Sequence, residues 1–232
     1  MSAIEAVQPH SINRALLISE SDSFFGHFIF INGLMPLLRT AVASGSDVRI
    51  VQVGSNAAGL LGGPYTFDFS DRQLYRGAIP SITLMHRLMA LIAYVPGCIR
   101  YAVSKVAVGM LAAELNQRFD KEKLPILSVC INPGTANSHG RAPAVLKPWF
   151  RPLAQSAVVT PEVASWNALF FGTAEAARDD KYKGKYHEPV AVITDTHPQV
   201  EDLKQRALLW EAATDEVNTY LRSKGRPELG PW

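Results

Sequence analysis

The sequence predicts an α/β fold layered on a parallel sheet, and three observations carry that prediction. Val48-Arg-Ile-Val-Gln-Val53 and Pro125-Ile-Leu-Ser-Val-Cys-Ile131 are short apolar, β-branched runs. Each is closed by turn residues, Gly54-Ser55 and Asn132-Pro-Gly134. Between them, Tyr101 to Phe119 places Ala102, Val106, Ala107, Met110, Leu111 and Leu115 at helical spacing. Strands separated by long helices are joined by right-handed crossovers into parallel sheets.

The remaining elements follow in order. Phe24 to Val42 repeats apolar residues on a helical period, with Pro36 expected to kink or restart the helix. Val48–Val53 reads as a buried strand entering a turn. Thr160-Pro161-Glu162 is a helix start, with Thr as N-cap and Pro in the first turn, and that helix is expected to reach about Ala177. Tyr186 to Thr194 reads as a third strand and Leu203 to Leu221 as a terminal helix. Two segments stand out as additions. Gly59 to Gly97 carries Leu84, Met85, Leu88, Met89, Leu91, Ile92 and Val95 at helical spacing. That pattern suits a helix packed on the body or a Met-rich lid over an apolar pocket. Ser138 to Val159 holds Pro143, Pro148 and Pro152 with Trp149 and Phe150, an irregular flap beside the end of the second strand.

Composition bounds the function. The chain has 232 residues, 47% of them apolar, enough to bury one core without metal or disulfide support. One domain over 1–232 is expected. A net charge of +2, from 23 basic and 21 acidic residues, gives no basis for a nucleic-acid partner. The dense basic stretch Lys181-Tyr-Lys-Gly-Lys185 reads as a solvated loop. Cys98 and Cys130 lie far apart, which argues against a zinc site or redox pair and for a reducing compartment. The six histidines show no metal-ligand spacing, so no metal is expected. The N-terminus lacks a signal-peptide pattern, and the apolar stretch Ile82 to Val95 is too short to span a bilayer. A cytoplasmic protein is the expectation.

Ligands of open parallel sheets bind outside the carboxyl ends of the strands. Ser55 and Pro133-Gly134 sit at such ends, and Tyr101-Ala-Val-Ser-Lys105 opens the long helix in this reading. A Tyr and a Lys four apart share one helical face, one turn from each other. A free phenol titrates near ~10, and a neighbouring ammonium stabilises its anion so that it can shuttle protons. Ser55 could hold a carbonyl oxygen for that proton. The same spacing also suits a core tyrosine with a lysine reaching to solvent.

These motifs resemble the short-chain dehydrogenase/reductase family. Gly26-His-Phe-Ile-Phe-Ile-Asn32 looks like the N-x-x-G-H-F helix start of its retinol-dehydrogenase-like branch, and Val51-Gln-Val-Gly-Ser55 like its strand carrying the active-site serine. Tyr101-Ala-Val-Ser-Lys105 matches the family's Y-x-x-[ST]-K motif, and Asn132-Pro-Gly-Thr-Ala-Asn-Ser138 is similar to its P-G-x-V-x-T turn. The pattern looks most like reductases of fungal genomes, many of specialised metabolism. The resemblance implies Tyr101 as general acid/base and Lys105 as its helper and ribose ligand. Ser55 would orient the substrate's carbonyl or alcohol. Pro133, Gly134, Ala136 and Ser138 would meet the nicotinamide end of NADP or NAD. It also implies a homodimer through the helices of Gly26 and Tyr101.

The departures from the family are equally definite. No G-x-x-x-G-x-G turn precedes Gly26, no Asn-Asn-Ala-Gly turn occurs, and the fourth catalytic position, three before Gly26, holds Ser23. The chain therefore resembles the C-terminal two-thirds of such an enzyme: an incomplete Rossmann-like, doubly wound parallel sheet. Asn13-Arg-Ala-Leu-Leu-Ile-Ser19 reads as one surviving strand or a remnant of the family's first. Two functions fit: an NAD(P)-dependent oxidoreductase on a small apolar carbonyl/alcohol pair, or a catalytically silent relative acting through association.

Overall fold

A computed structural model describes residues 24–57, 67, 69, 95–134, 147–149, 152, 159–230 and 232, with side chains in the long helix from Tyr101 onward. The elements are α1 (Gly26–Ala43), β1 (Val48–Val53), α2 (Val95–Lys121), β2 (Ile126–Ile131), α3 (Pro161–Thr173), β3 (Tyr186–Glu188), β4 (Val192–Ile193), α4 (Pro198–Glu201) and α5 (Leu203–Ser223). The sheet order among these is β1-β2-β3-β4. β1, β2 and β3 run parallel and β4 returns antiparallel. This is the α/β, mostly parallel sheet that the strand–helix alternation predicts, and the partial Rossmann-like sheet that the family resemblance implies.

β2 is buried along its whole length, as a parallel strand covered on both faces must be. One face meets α1, α2 and α5. There Phe28, Ile31 and Met35 of α1 join Val106, Met110, Leu115 and Phe119 of α2 and Leu209, Trp210 and Val217 of α5 in one apolar cluster. Each such side chain contributes roughly 1.5–3 kcal/mol of transfer free energy. The Phe28 and Trp210 rings stand 4.9 Å apart, and Arg118 lies 3.9 Å over Trp210 while its Nε donates to Glu114. The terminal Trp232 seals this face, 5.1 Å from Trp210, with its Nε1 donating to Asn32 Oδ1 at 2.7 Å.

The other face meets α3 and is far smaller: Leu127, Val129 and Ile131 of β2 with Phe171 and Ala177. Polar bonds hold it. Asn167, fully buried in α3, donates from Nδ2 to Asn132 O at 3.1 Å and His187 O at 2.9 Å, and its Oδ1 accepts from Ala191 N at 3.0 Å. Arg49 of β1 donates to Phe171 O at 3.1 Å and Ala174 O at 2.8 Å, serving carbonyls that the end of α3 leaves open. Arg178 reaches the same edge, donating to Val48 O and Pro125 O and pairing with Asp47.

β1, β2, α1 and α5 lie within two residues of their expected limits. Elsewhere the structure differs. α1 passes through Pro36 without a break, because Phe28, Ile31 and Met35 before it and Leu38, Ala41 and Val42 after it pack into one core. α2 is described from Val95, ahead of the expected start at Tyr101. The Tyr101–Lys105 pair therefore sits inside the helix rather than opening it. α3 has its predicted cap, Thr160 accepting from Val163 N, but ends at Thr173, and a 3-10 turn covers Glu175–Arg178. The single third strand is two: a turn at Pro189–Ala191, with Ala191 at φ 57°, folds Val192–Ile193 back onto β3. The Met-rich segment before Val95, most of the Pro-rich flap, and Asn13–Ser19 lie outside the described residues.

Candidate active site

Register builds the site. Val53 pairs with Ile131, so Ser55 and Pro133 each lie two residues beyond the last rung of adjacent strands. Gly54 N donates to Ile131 O at 2.7 Å, extending the ladder to the residue before Ser55. Ser55 is half-buried, and its hydroxyl oxygen accepts from Ala57 N at 3.2 Å, which fixes it in a tight turn. Gly134 adopts φ +78°, and its N–H donates to Asn132 Oδ1 at 3.0 Å.

α2 brings the pair to this edge. Lys105 Nζ donates to Val53 O at 2.8 Å and lies 5.5 Å from the centre of the Tyr101 ring. Four of the sequence-predicted residues, Ser55, Lys105, Pro133 and Gly134, thus meet at the carboxyl ends of β1 and β2, and Tyr101 stands against Lys105. Ala136 and Ser138 lie outside the described residues, as does Ser23. Burial lowers the Lys105 pKa, with Cys130 nearby working in the opposite direction. An ammonium held in a partly desolvated position stabilises an adjacent anion more strongly than one in water.

The sequence reading missed several neighbours. Cys130 is buried and free, and burial pushes its thiol up to about 12 against the pull of Lys105 and the Gly54 N–H. Gly54 is required by this approach: a Cβ there would meet Cys130 Sγ at 2.5 Å and Tyr186 Cε2 at 3.2 Å. Glu188 gathers the end of β3, accepting from Asn132 Nδ2 at 2.7 Å and from the Tyr186 hydroxyl at 3.2 Å. Burial first, then the Glu188 charge, raises the Tyr186 pKa. His27, in the first turn of α1, is lowered by burial and by the Lys105 charge. The available signal was positional: Cys130 lies next to the last residue of β2, and Glu188 is the last residue of β3, whose Tyr186 pairs with Cys130.

Among the described residues no group of His, Cys, Asp and Glu could hold a metal ion, and no helix is long and apolar enough to cross a membrane. The basic stretch is a turn whose lysines pair with Asp179, Asp180 and Glu201.

The fold and these strand ends define a partial Rossmann-like α/β protein, and comparison with known proteins narrows the class. No family model matches the chain. It is 38% identical over 136 residues to the short-chain dehydrogenase/reductase pyiH of Pyricularia grisea, covering 57% of this chain and 53% of that protein. It is 30% identical over 206 residues to the short chain dehydrogenase/reductase dpchH of Colletotrichum higginsianum, covering 83% of this chain and 46% of that one. The chain spans about half the length of these curated relatives. A crystal structure of an uncharacterized protein from Mycobacterium paratuberculosis shares the fold, with a TM-score of 0.51 at 18% identity over 83% of this chain and 56% of that chain. The chain is thus similar to short-chain dehydrogenases/reductases over about half of their length.

Proposed function

We propose that the protein is an NAD(P)-dependent oxidoreductase interconverting a carbonyl and an alcohol on a small apolar substrate. The observation that carries this reading is the Lys105 amine, bonded to Val53 O beside the Tyr101 ring, two residues before Ser55. The names of the curated relatives support the reaction class. NADP is the first choice of nucleotide and the cytoplasm the expected compartment, with a homodimer as the expected assembly.

The residues present suit the nicotinamide end of such a cofactor. An ammonium has three donors, and Lys105 uses one on Val53 O, leaving others for ribose hydroxyls. The Pro133-Gly134 turn, with its positive φ, lets backbone approach a planar ring beside Ser55. Bound there, the nicotinamide supplies or accepts the hydride. In the reducing direction Tyr101 gives its hydroxyl proton to the carbonyl oxygen, and Lys105 stabilises the phenolate left behind. The Ser55 hydroxyl, free to donate while its oxygen accepts from Ala57 N, orients that same oxygen.

Calorimetric titration of the purified chain with NADPH and with NADH tests binding, followed by turnover of Tyr101→Phe. Micromolar binding, with turnover lost in Tyr101→Phe and the fold intact, is expected. Retained turnover in that variant overturns the assigned role. Folded protein with no heat at millimolar cofactor favours the silent relative that acts through association.

A further inference from the structure

A second polar site lies away from the strand ends. A groove of about 500 Å³ runs between the last turns of α2, the Lys183–Lys185 turn and the start of α5. Its charged lining is unbalanced, with Lys121, Lys183, Lys185 and Arg206 against Asp120 and Glu201. Gln117, on the same wall, follows Lys105 by twelve residues of α2, about 18 Å along the helix.

Arg206 is the unexplained group. It is only 8% exposed, yet among the described residues its guanidinium makes one hydrogen bond, to Gln117 Oε1 at 3.3 Å, and its Nε finds no partner. Among the described residues no carboxylate pairs with it. A buried cation without a counter-charge is destabilising, and proteins resolve that cost by pairing it. The carboxylates in the groove are occupied: Glu201 holds Lys185 at 2.9 Å, and Asp120 accepts from Asn116 Nδ2 at 3.1 Å and lies 3.8 Å from Lys183. Lys121 carries no ion pair among the described residues.

We infer that this groove binds a phosphoryl dianion, free or as a small phosphate monoester, with Arg206 and Lys121 as its principal ligands. The donors approach from three elements, α2, the Lys183–Lys185 turn and α5. Such convergence suits a tetrahedral group with oxygens on several sides better than a planar carboxylate. Lys183, Gly184 and Lys185 of the basic stretch supply one wall of the binding site. The inference is independent of the proposed oxidoreductase activity.

The test is calorimetric titration of the full chain, without nucleotide, using inorganic phosphate at constant ionic strength with chloride as the control. Saturable binding is expected, with a Kd at or below about 1 mM. Lys121→Gln, a surface change, should weaken it about tenfold, the loss of one charge-assisted bond. Arg206→Met should abolish it, and in phosphate-free buffer should melt no lower than the parent, since it removes an unpaired buried charge. Glycerol 3-phosphate separates the two sources: tighter binding than phosphate identifies a monoester, equal binding the free ion. No saturable heat in the parent chain overturns the inference. So does binding that Lys121→Gln leaves unchanged, a readout available even if Arg206→Met fails to fold.

Discussion

The two faces of the sheet are held together by different physics. The face under α1, α2 and α5 is a broad apolar cluster, in which rings from three helices and Trp232 fill one volume. Among the described residues the face under α3 buries fewer apolar side chains and depends on directed bonds, chiefly from Asn167 and Arg49. Apolar packing is tolerant, because volume can be redistributed among many neighbours. A buried amide with three bonds has no substitute. The polar face also carries the strand ends of the candidate site, so its order there depends on few atoms.

Substitutions can break this contrast. Phe28→Ala should cost about 3–5 kcal/mol in urea unfolding, the usual loss for a buried phenylalanine. Asn167→Ala should cost nearly as much, about 2–4 kcal/mol, because Asn132 O and Ala191 N lose buried partners. A cost below ~1 kcal/mol there would show that the small face needs no polar stitch. Gly54→Ala should cost about 1–3 kcal/mol by overpacking against Cys130, and the double variant with Cys130→Ala should recover most of it.

The smallest expected effect is a pH dependence. Burial holds His187 down at about 4, against ~6.5 in an unfolded chain. As pH falls, the unfolded chain binds this proton first. Stability from neutral His187 is therefore complete above about pH 6.5 and lost as pH falls toward 4. Unfolding midpoints at several pH values should show His187→Gln with a shallower acid slope than the parent.

The contrast also explains what the sequence disclosed. β2 is legible because a strand buried on both faces must be a continuous apolar run, and β1 because a short β-branched run is closed by Gly-Ser. Thr160 is legible because cap chemistry is local. Asn167 is not, since one amide inside an apolar helical pattern looks like an exposed position until its three partners arrive from β2, β3 and the Pro189–Ala191 turn. That turn was equally hidden: Ala191 takes a left-handed backbone that alanine rarely adopts, and Asn167 Oδ1 on its N–H helps to hold it there. Of the candidate site, the Tyr101–Lys105 spacing and Ser55 could be read directly. The docking of Lys105 on Val53 and the Glu188 cluster depend on long-range register, which no local pattern encodes.

The contact between Gly54 and Cys130 also makes a statement about descent. Positions 54 and 130 form a single unit in which room given to one side chain is taken from the other. A relative that carries serine or alanine where this chain has Gly54 must hold something smaller, or displaced, at the position of Cys130. The two sites should therefore change together across lineages, each substitution at 54 matched by a smaller or displaced side chain at 130.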